Sequence, residues 1–553
     1  MNTETNPKPL LRVEGLRVSF TSDDGRVTAV EDVGFDIMRG ETLVILGESG
    51  SGKSVSASVI MDILDRPAGR VEAGRVQLDD TDLLSLPRAK RRAINGARLA
   101  MIFQDPLSYL NPSYSIGWQI AETLRIHDTP GIDPKARAVE LLTRVGIPDP
   151  EQRQHWFPHQ FSGGQRQRVM IAMALALSPE LLIADEPTTA LDVTVQRQIL
   201  DLLKELQAET GMSILMITHD LSVAARMADR AIVMRRGRVV ETGRLDRIAA
   251  NPSHPYTREL LSAIPRLESE KRGGLVAAKG SQPLLQVRDL CKDYHLPGSG
   301  FGTARSMRAL NGVGFTLMPG TVLGVVGESG SGKSTLARVL MRLESVTSGQ
   351  ALYGGQDILT LKGAVLNTFR REVQMVFQDP FGSLNPTMEI ERIICEPLAL
   401  HPDILPRRQW RDRAAELLEM VGLETAHLSR LPHQFSGGQR QRIAIARALA
   451  LKPRLIICDE AVSALDVSIQ AQVIELLADL RQKLGLSFIF ITHDLPVVRS
   501  FADNILVMKG GSVVEAGDTG TLFANPSHPY TRDLLSASAI PEWMSQAVRA
   551  AIA

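Results

Sequence analysis

The sequence predicts an α/β fold laid down twice in one chain. Three observations carry that prediction. Long segments recur in the same order: GESGSGKS at 47–54 and 327–334, FSGGQRQR at 161–168 and 435–442, and NPSHPYTR at 251–258 and 525–532. Over most of their length the copies stand 274 residues apart (378 minus 104, for the glutamines of two FQDP segments). Short continuous apolar runs, LLIAD (181–185), ILMIT (214–218), LIICD (455–459) and FIFIT (488–492), suit parallel strands buried on both faces. Helical patterns alternate with them, as right-handed crossovers require.

Each element follows in order. Alternating strand-like segments open the two halves at 10–20 and 284–294. A strand at 42–47, or 321–327, then enters a glycine-rich loop, and a helix pattern follows it. At 553 residues, a length prior of roughly 150 residues per domain suggests three or four units. The repeat refines this to two: a first domain at 1–268, a linker at 269–283 with paired glycines, charges and a late proline, and a second domain at 284–553. A polar, glycine-rich stretch at 297–306 lengthens an early loop of the second half.

Lys plus Arg and Asp plus Glu both number 62, so the formal net charge is zero. That balance argues against a nucleic-acid footprint, which needs a basic excess. Three cysteines, Cys291, Cys395 and Cys458, are too few and too scattered for a disulfide framework or a metal cluster, and Cys458 falls inside an apolar strand pattern. The first residues, MNTETNPKP, lack the apolar core of a signal peptide, and no stretch reaches the ~20 apolar residues of a membrane span. The expectation is a soluble chain, or one attached to a membrane through other subunits.

GESGSGKS matches the phosphate-loop pattern G-x-x-x-x-G-K-[ST]. The residues are Gly47, Glu48, Ser49, Gly50, Ser51, Gly52, Lys53 and Ser54, and again Gly327, Glu328, Ser329, Gly330, Ser331, Gly332, Lys333 and Ser334, with Thr335 following. Glycines let backbone amides turn inward as a nest for phosphate oxygens, and the next helix aims its positive end at them. Lys53 and Lys333 reach the β- and γ-phosphates of ATP; Ser54 and Ser334 hold Mg²⁺. Asp185 and Asp459 end apolar strands, where a Mg²⁺-organising carboxylate belongs. Glu186 and Glu460 come next, placed to polarise an attacking water as general base.

Ser162, Gly163, Gly164 and Gln165, with Ser436, Gly437, Gly438 and Gln439, form an SGGQ segment in each half. Each serine is placed to cap a long helix beginning near its glutamine, and the two glycines expose amides at that helix's positive end. At these residues the chain resembles the ATP-binding-cassette (ABC) ATPases. The resemblance implies a RecA-like phosphate-loop NTPase core in each half, with an antiparallel β subdomain at its start. It places a helical subdomain near 105–175 and 379–449. It implies that SGGQ binds the γ-phosphate held by the opposite cassette, giving two composite ATP sites. Gln104 and Gln378 match the Q-loop, which senses Mg²⁺ and touches a transmembrane partner. TALD (189–192) and SALD (463–466) match the D-loop, and His219 and His493, each 33 residues beyond its glutamate (219 minus 186), match the switch histidine. Phe20 and Tyr294 are read two ways, as adenine-stacking aromatics or as strand residues of the core.

The tails at 251–265 and 525–541, with FQDPLSYLNP (103–112) and FQDPFGSLNP (377–386), resemble those of dipeptide and oligopeptide uptake ATPases, here in a fused form. The resemblance implies an ATPase that energises import of peptides or related solutes at the cytoplasmic face of the bacterial inner membrane. Its implied partners are two transmembrane permease subunits, through which it is membrane-associated, and an external or periplasmic solute-binding protein. No nucleic acid is implied. A soluble ABC ATPase acting on DNA or ribosomes is disfavoured by the neutral charge and by the lack of a long charged arm between the halves. An exporter ATPase is disfavoured by the importer-type tails. Ala461 stands where the first half has Pro187, outside the catalytic carboxylates. His159 and His433 are read as structural, and Tyr256 and Tyr530 as packing a C-terminal helix onto each half.

Overall fold

Two six-stranded sheets form the centres of the computed structural model, which describes residues 8–22, 25–189, 191–262, 282–296, 305–462, 465–539, 541–544 and 546–547. These fall into two compact units. The first holds the described residues up to Ile264 except Asp192–Thr194, together with those of Ala539–Ala553. The second holds Asp192–Thr194 and the described residues of Pro265–Ser538. The expected linker at 269–283 and the glycine-rich stretch at 297–306 lie almost wholly outside the described residues.

In the first unit the sheet runs Arg238–Arg244, Arg230–Arg235, Thr42–Leu46, Ser213–Thr218, Leu181–Asp185, Leu99–Ile102. Every pair is parallel except the first, an antiparallel hairpin at one edge. Period-two alternation explains why apolar runs fill it. Val44, Leu46, Leu182, Ala184, Ile214 and Met216 face one core, while Leu43, Ile45, Leu181, Ile183, Leu215 and Ile217 face another. The second core is shared with an antiparallel sheet of Leu11–Ser22, Gly25–Ile37, Gly69–Leu78 and Thr81–Asp82. The first is shared with helices Ile116–Ile126, Pro134–Arg144 and Gly163–Ala174. The β and helical subdomains therefore pack on opposite faces of one sheet.

The second unit repeats this plan. Its large sheet runs Val373–Val376, Leu455–Asp459, Ser487–Ile491, Val322–Val326, Asn504–Lys509, Ser512–Asp518, again with one antiparallel edge pair. Cys458 is fully buried in the central sheet and Cys395 lies in the helical core. Tyr256 and Tyr530 are buried, each early in a tail helix, Pro255–Ser262 and Pro529–Ser538. His159 and His433 are exposed.

Candidate active site

The phosphate loop is built by the end of the first parallel strand. Thr42–Leu46 is fully buried, and the chain then turns through Gly47, Gly50 and Gly52 into helix Lys53–Ile60. Gly52 is left-handed at φ 96°, and a Cβ there would lie 2.6 Å from the Ala29 carbonyl oxygen, so no other residue fits. It caps the helix without a side chain, leaving first-turn amides for an anion. Gly332 does the same at φ 102° before helix Lys333–Leu340. The Ser51 and Ser331 hydroxyls are buried in the loops without a hydrogen-bond partner among the described residues.

Lys53 is buried and its ammonium donates to the carbonyls of Gly47 (2.7 Å) and Glu48 (2.9 Å). Lys333 repeats both bonds at the same distances to Gly327 and Glu328. Burial lowers the Lys333 pKa, opposed by Glu460 and other nearby carboxylates.

Ser54 Oγ donates to Asp185 at 3.0 Å, and Ser334 Oγ to Asp459 at 3.1 Å. Burial pushes the Asp185 carboxyl up to about 6 despite the serine, and adjacent Glu186 adds to the rise. Asp459 is raised for the same first reason. Glu186 lies one residue on, with a left-handed backbone at φ 46°; Glu460 matches it at φ 47°. For a non-glycine residue such a backbone costs on the order of 1 kcal/mol or more, and strain of this kind clusters at functional sites.

The glutamates gather the rest of each site. Gln104 Nε2 donates to Glu186 at 2.8 Å and Thr189 Oγ1 at 2.9 Å, while His219 Nδ1 lies 2.9 Å from the other carboxylate oxygen. In the second unit Gln378 donates to Glu460 at 2.7 Å and His493 Nδ1 stands 3.7 Å away. Burial pushes both carboxyls up, but the neighbouring histidine and lysine hold each below its ordinary value, so both are ionised at neutral pH. His493 is raised in turn: burial lowers it, and Glu460, with Asp494 and Asp192, more than compensates. Both oxygens of Glu186 are engaged, so activating a water requires one of these bonds to open.

The SGGQ helices begin at Gly163 and Gly437, two residues earlier than expected. The glycines are the first helical residues rather than part of a preceding turn. Ser162 accepts from Gln165 N–H (3.3 Å) and Gln165 Oε1 accepts from Ser162 N–H (3.2 Å), a reciprocal cap, and Ser436 with Gln439 repeats it. A Cβ on Gly164 would meet Val195 at 2.5 Å and one on Gly438 would meet Ile469 at 2.3 Å, which explains glycine there.

Within each unit the structure therefore brings together lysine, serine, aspartate, glutamate, Q-loop glutamine and histidine. Ala190, Ser463 and Ala464 of the D-loops lie outside the described residues. Phe20 is half-buried at the end of its strand, where a Cβ on Gly69 would touch its ring. Tyr294 donates its hydroxyl to Glu344 and has Lys292 4.9 Å above its ring. No sequence signal pointed to the left-handed glutamates or to the hydrogen bonds that tie up Glu186.

These two sites define a nucleotide-hydrolysing protein of the phosphate-loop class with an SGGQ helix in each unit, and sequence comparison names the class. The ABC transporter family profile matches residues 30–189 and 310–463, and the chain belongs to that family in a form with two cassettes. A second profile, the oligopeptide/dipeptide transporter C-terminal region, matches residues 240–294 and 514–549. The peptidoglycan transport ATP-binding protein YejF of Agrobacterium fabrum is 47% identical over 97% of this chain and 97% of its own. The glutathione import ATP-binding protein GsiA of Escherichia coli O157:H7 is 45% identical over 96% of this chain and 90% of its own. Among solved structures, the post-hydrolysis dimer of the ATP-binding cassette MJ0796 with ADP and Pi aligns at 29% identity, over 42% of this chain and 98% of that one, with a TM-score of 0.39. The chain is an ABC ATPase: it binds ATP, and its hydrolysis is coupled to transport. No helix among the described residues is long and apolar enough to cross a membrane.

Proposed function

We propose that this chain is the motor of an importer for peptides or related small solutes. It works at the cytoplasmic face of the bacterial inner membrane, held there by two permease subunits and served by an external or periplasmic solute-binding protein. One observation carries the reading: each unit joins a full hydrolytic set to a tail of the oligopeptide/dipeptide transporter type. Glu186 and Glu460 act as general bases and His219 and His493 hold the γ-phosphate side, while the signature residues of each half serve the nucleotide of the other, as the resemblance implies.

The oxygen donors of Ser54, Asp185 and Gln104, and of Ser334, Asp459 and Gln378, fit a hard divalent cation. Burial raises the Asp185 pKa to about 6 even with Lys53 nearby, and a cation relieves that cost. Mg²⁺ bound there supplies charge neutralisation for the phosphates.

The test is reconstitution. The purified chain should hydrolyse ATP, and in proteoliposomes with its permeases the rate should rise when a solute-loaded binding protein is added, with solute accumulating inside. Stimulation by DNA or ribosomes, and none by the binding protein, overturns the reading.

A further inference from the structure

The repeated tail segment NPSHPYTR does more than pack a helix. Glu241, on the edge strand Arg238–Arg244, accepts from the backbone N–H of Ser253 (2.8 Å) and of His254 (3.1 Å). His254 Nδ1 accepts from the N–H of Tyr256 (3.1 Å), and Pro255 starts the helix. Arg235 lies 4.6 Å over the Tyr256 ring. The segment thus delivers one buried phenol to one place, and its hydroxyl accepts from the backbone N–H of Glu48 at 3.1 Å. That N–H belongs to the peptide unit between Gly47 and Glu48, whose carbonyl is the one Lys53 grips at 2.7 Å. Tyrosine and lysine therefore hold opposite ends of a single peptide group, the first of the phosphate loop. Gly47 itself lies close against the neighbouring strand: a Cβ there would be 2.3 Å from the Met234 carbonyl oxygen, so only glycine fits.

The second unit contains the same circuit. Glu515 accepts from Ser527 N–H (2.7 Å) and His528 N–H (3.1 Å), and His528 Nδ1 accepts from Tyr530 N–H (3.1 Å). Lys509 lies 4.4 Å over the Tyr530 ring. Tyr530 accepts from Glu328 N–H at 3.1 Å, on the peptide whose carbonyl holds Lys333 at 2.7 Å. Arginine in one half and lysine in the other perform the same stacking role, so the circuit is kept while its members differ. Burial holds the Tyr530 hydroxyl protonated, with a pKa raised to about 12.

We infer that Tyr256 and Tyr530 are positioning residues for ATP binding: through the first peptide of each phosphate loop they set the lysine that meets the phosphates, making the transporter-type tail a working part of each nucleotide site. The inference rests on the ATP-site reading above. A dipole held at both ends is stiffer and more polarised than one held by lysine alone. A tyrosine hydroxyl also suits the task because the ring anchors it while the oxygen takes the amide.

The experiment uses the full chain with Tyr256→Phe, Tyr530→Phe and the double substitution, which keep the ring, its burial and its cationic neighbour. ATP affinity, KM and kcat are measured, with amide hydrogen exchange on the peptides containing Glu48 and Glu328. Expected are faster exchange at the substituted loop and a KM for ATP raised about threefold to tenfold in the double variant, the size of one lost hydrogen bond. At saturating ATP, kcat should change less than twofold. Unchanged ATP affinity with a lowered Tm, or a double variant that fails to fold, overturns the inference by showing a packing role only. Failure of the unsubstituted chain to bind ATP instead overturns the ATP-site reading on which the inference stands.

Discussion

The phosphate loops of the two units match closely, whereas their histidines and strand-end aromatics do not. Lysine-to-carbonyl distances are identical, serine-to-aspartate distances are 3.0 and 3.1 Å, and glutamine-to-glutamate distances are 2.8 and 2.7 Å. The histidines diverge: His219 lies at hydrogen-bond distance from Glu186, at 2.9 Å, and His493 lies at 3.7 Å from Glu460. Phe20 and Tyr294 differ too: Phe20 packs half-buried against its core, and Tyr294 donates its hydroxyl to Glu344. The lysine, serine–aspartate and glutamine contacts repeat to about a tenth of an ångström, and the histidine contact does not. Both units should therefore hydrolyse ATP, with unequal dependence on their histidines.

The largest effect tests whether both halves work. Glu186→Gln and Glu460→Gln should each slow hydrolysis at its own site by on the order of 10²–10⁴-fold, as loss of a general base does. Single-turnover ATPase on each variant checks this. If one substitution leaves both ATPase and transport intact, that half is regulatory and the equivalence of the units is broken.

Next come the histidines. A charge-assisted hydrogen bond contributes about 1.5–3 kcal/mol, roughly 10- to 100-fold. His219→Ala should lose turnover in that range, and His493→Ala should lose less, because its imidazole stands beyond hydrogen-bond distance. Equal losses would show that the two histidines reach the same geometry during turnover.

A third comparison concerns the segments after Gln104 and Gln378. Tyr109 is 54% exposed and stacks on Phe103 with ring centroids 3.7 Å apart, whereas the side chains of Leu107 and Phe381 lie outside the described residues. If this segment docks a permease, Tyr109→Ala should weaken membrane association by about 2 kcal/mol, the value of an aromatic anchor, and leave ATP binding by the isolated chain near normal. Vesicle co-sedimentation with permeases checks it; normal transport places the docking surface elsewhere.

A last effect is in pH dependence, and it acts on stability rather than turnover. Asp185 has a folded pKa of about 6, raised by burial above its ordinary 3.8. A raised acid contributes its stability fully below the unfolded value and loses it as pH rises through the folded value. Without nucleotide, the unsubstituted chain should lose stability relative to Asp185→Asn between about pH 4 and 6, and no further above that. Melting temperatures in that window, differing by a few degrees, give the measurement. A constant difference across it would mean that Asp185 is already paired.

Much of this was legible in the residues. The four apolar runs, LLIAD, ILMIT, LIICD and FIFIT, became central strands within a residue of their expected bounds, because continuous burial leaves a strong local trace. The serine, aspartate, glutamate and histidine of each site were readable as motifs, but the bonds that join them were not. The antiparallel edge strands Arg238–Arg244 and Ser512–Asp518 were not, since partly exposed, charged sequences have no clear period. Nor was the Tyr256 to Glu48 bond, which joins residues far apart in the chain through an N–H that no side-chain pattern reports. The left-handed glutamates escaped because backbone strain is imposed by the surrounding fold.

One edge of each large sheet has a consequence for solubility. Leu99–Ile102 is an outermost strand, fully buried, and helix Gly163–Ala174 packs over it; Val373–Val376, buried except for Gln374, and helix Gly437–Leu449 repeat the arrangement. An uncovered apolar edge is a template for strand addition by another chain. The helix that presents the signature residues is thus also a shield against aggregation. A shortened cassette lacking it would be expected to precipitate before its activity could be assayed.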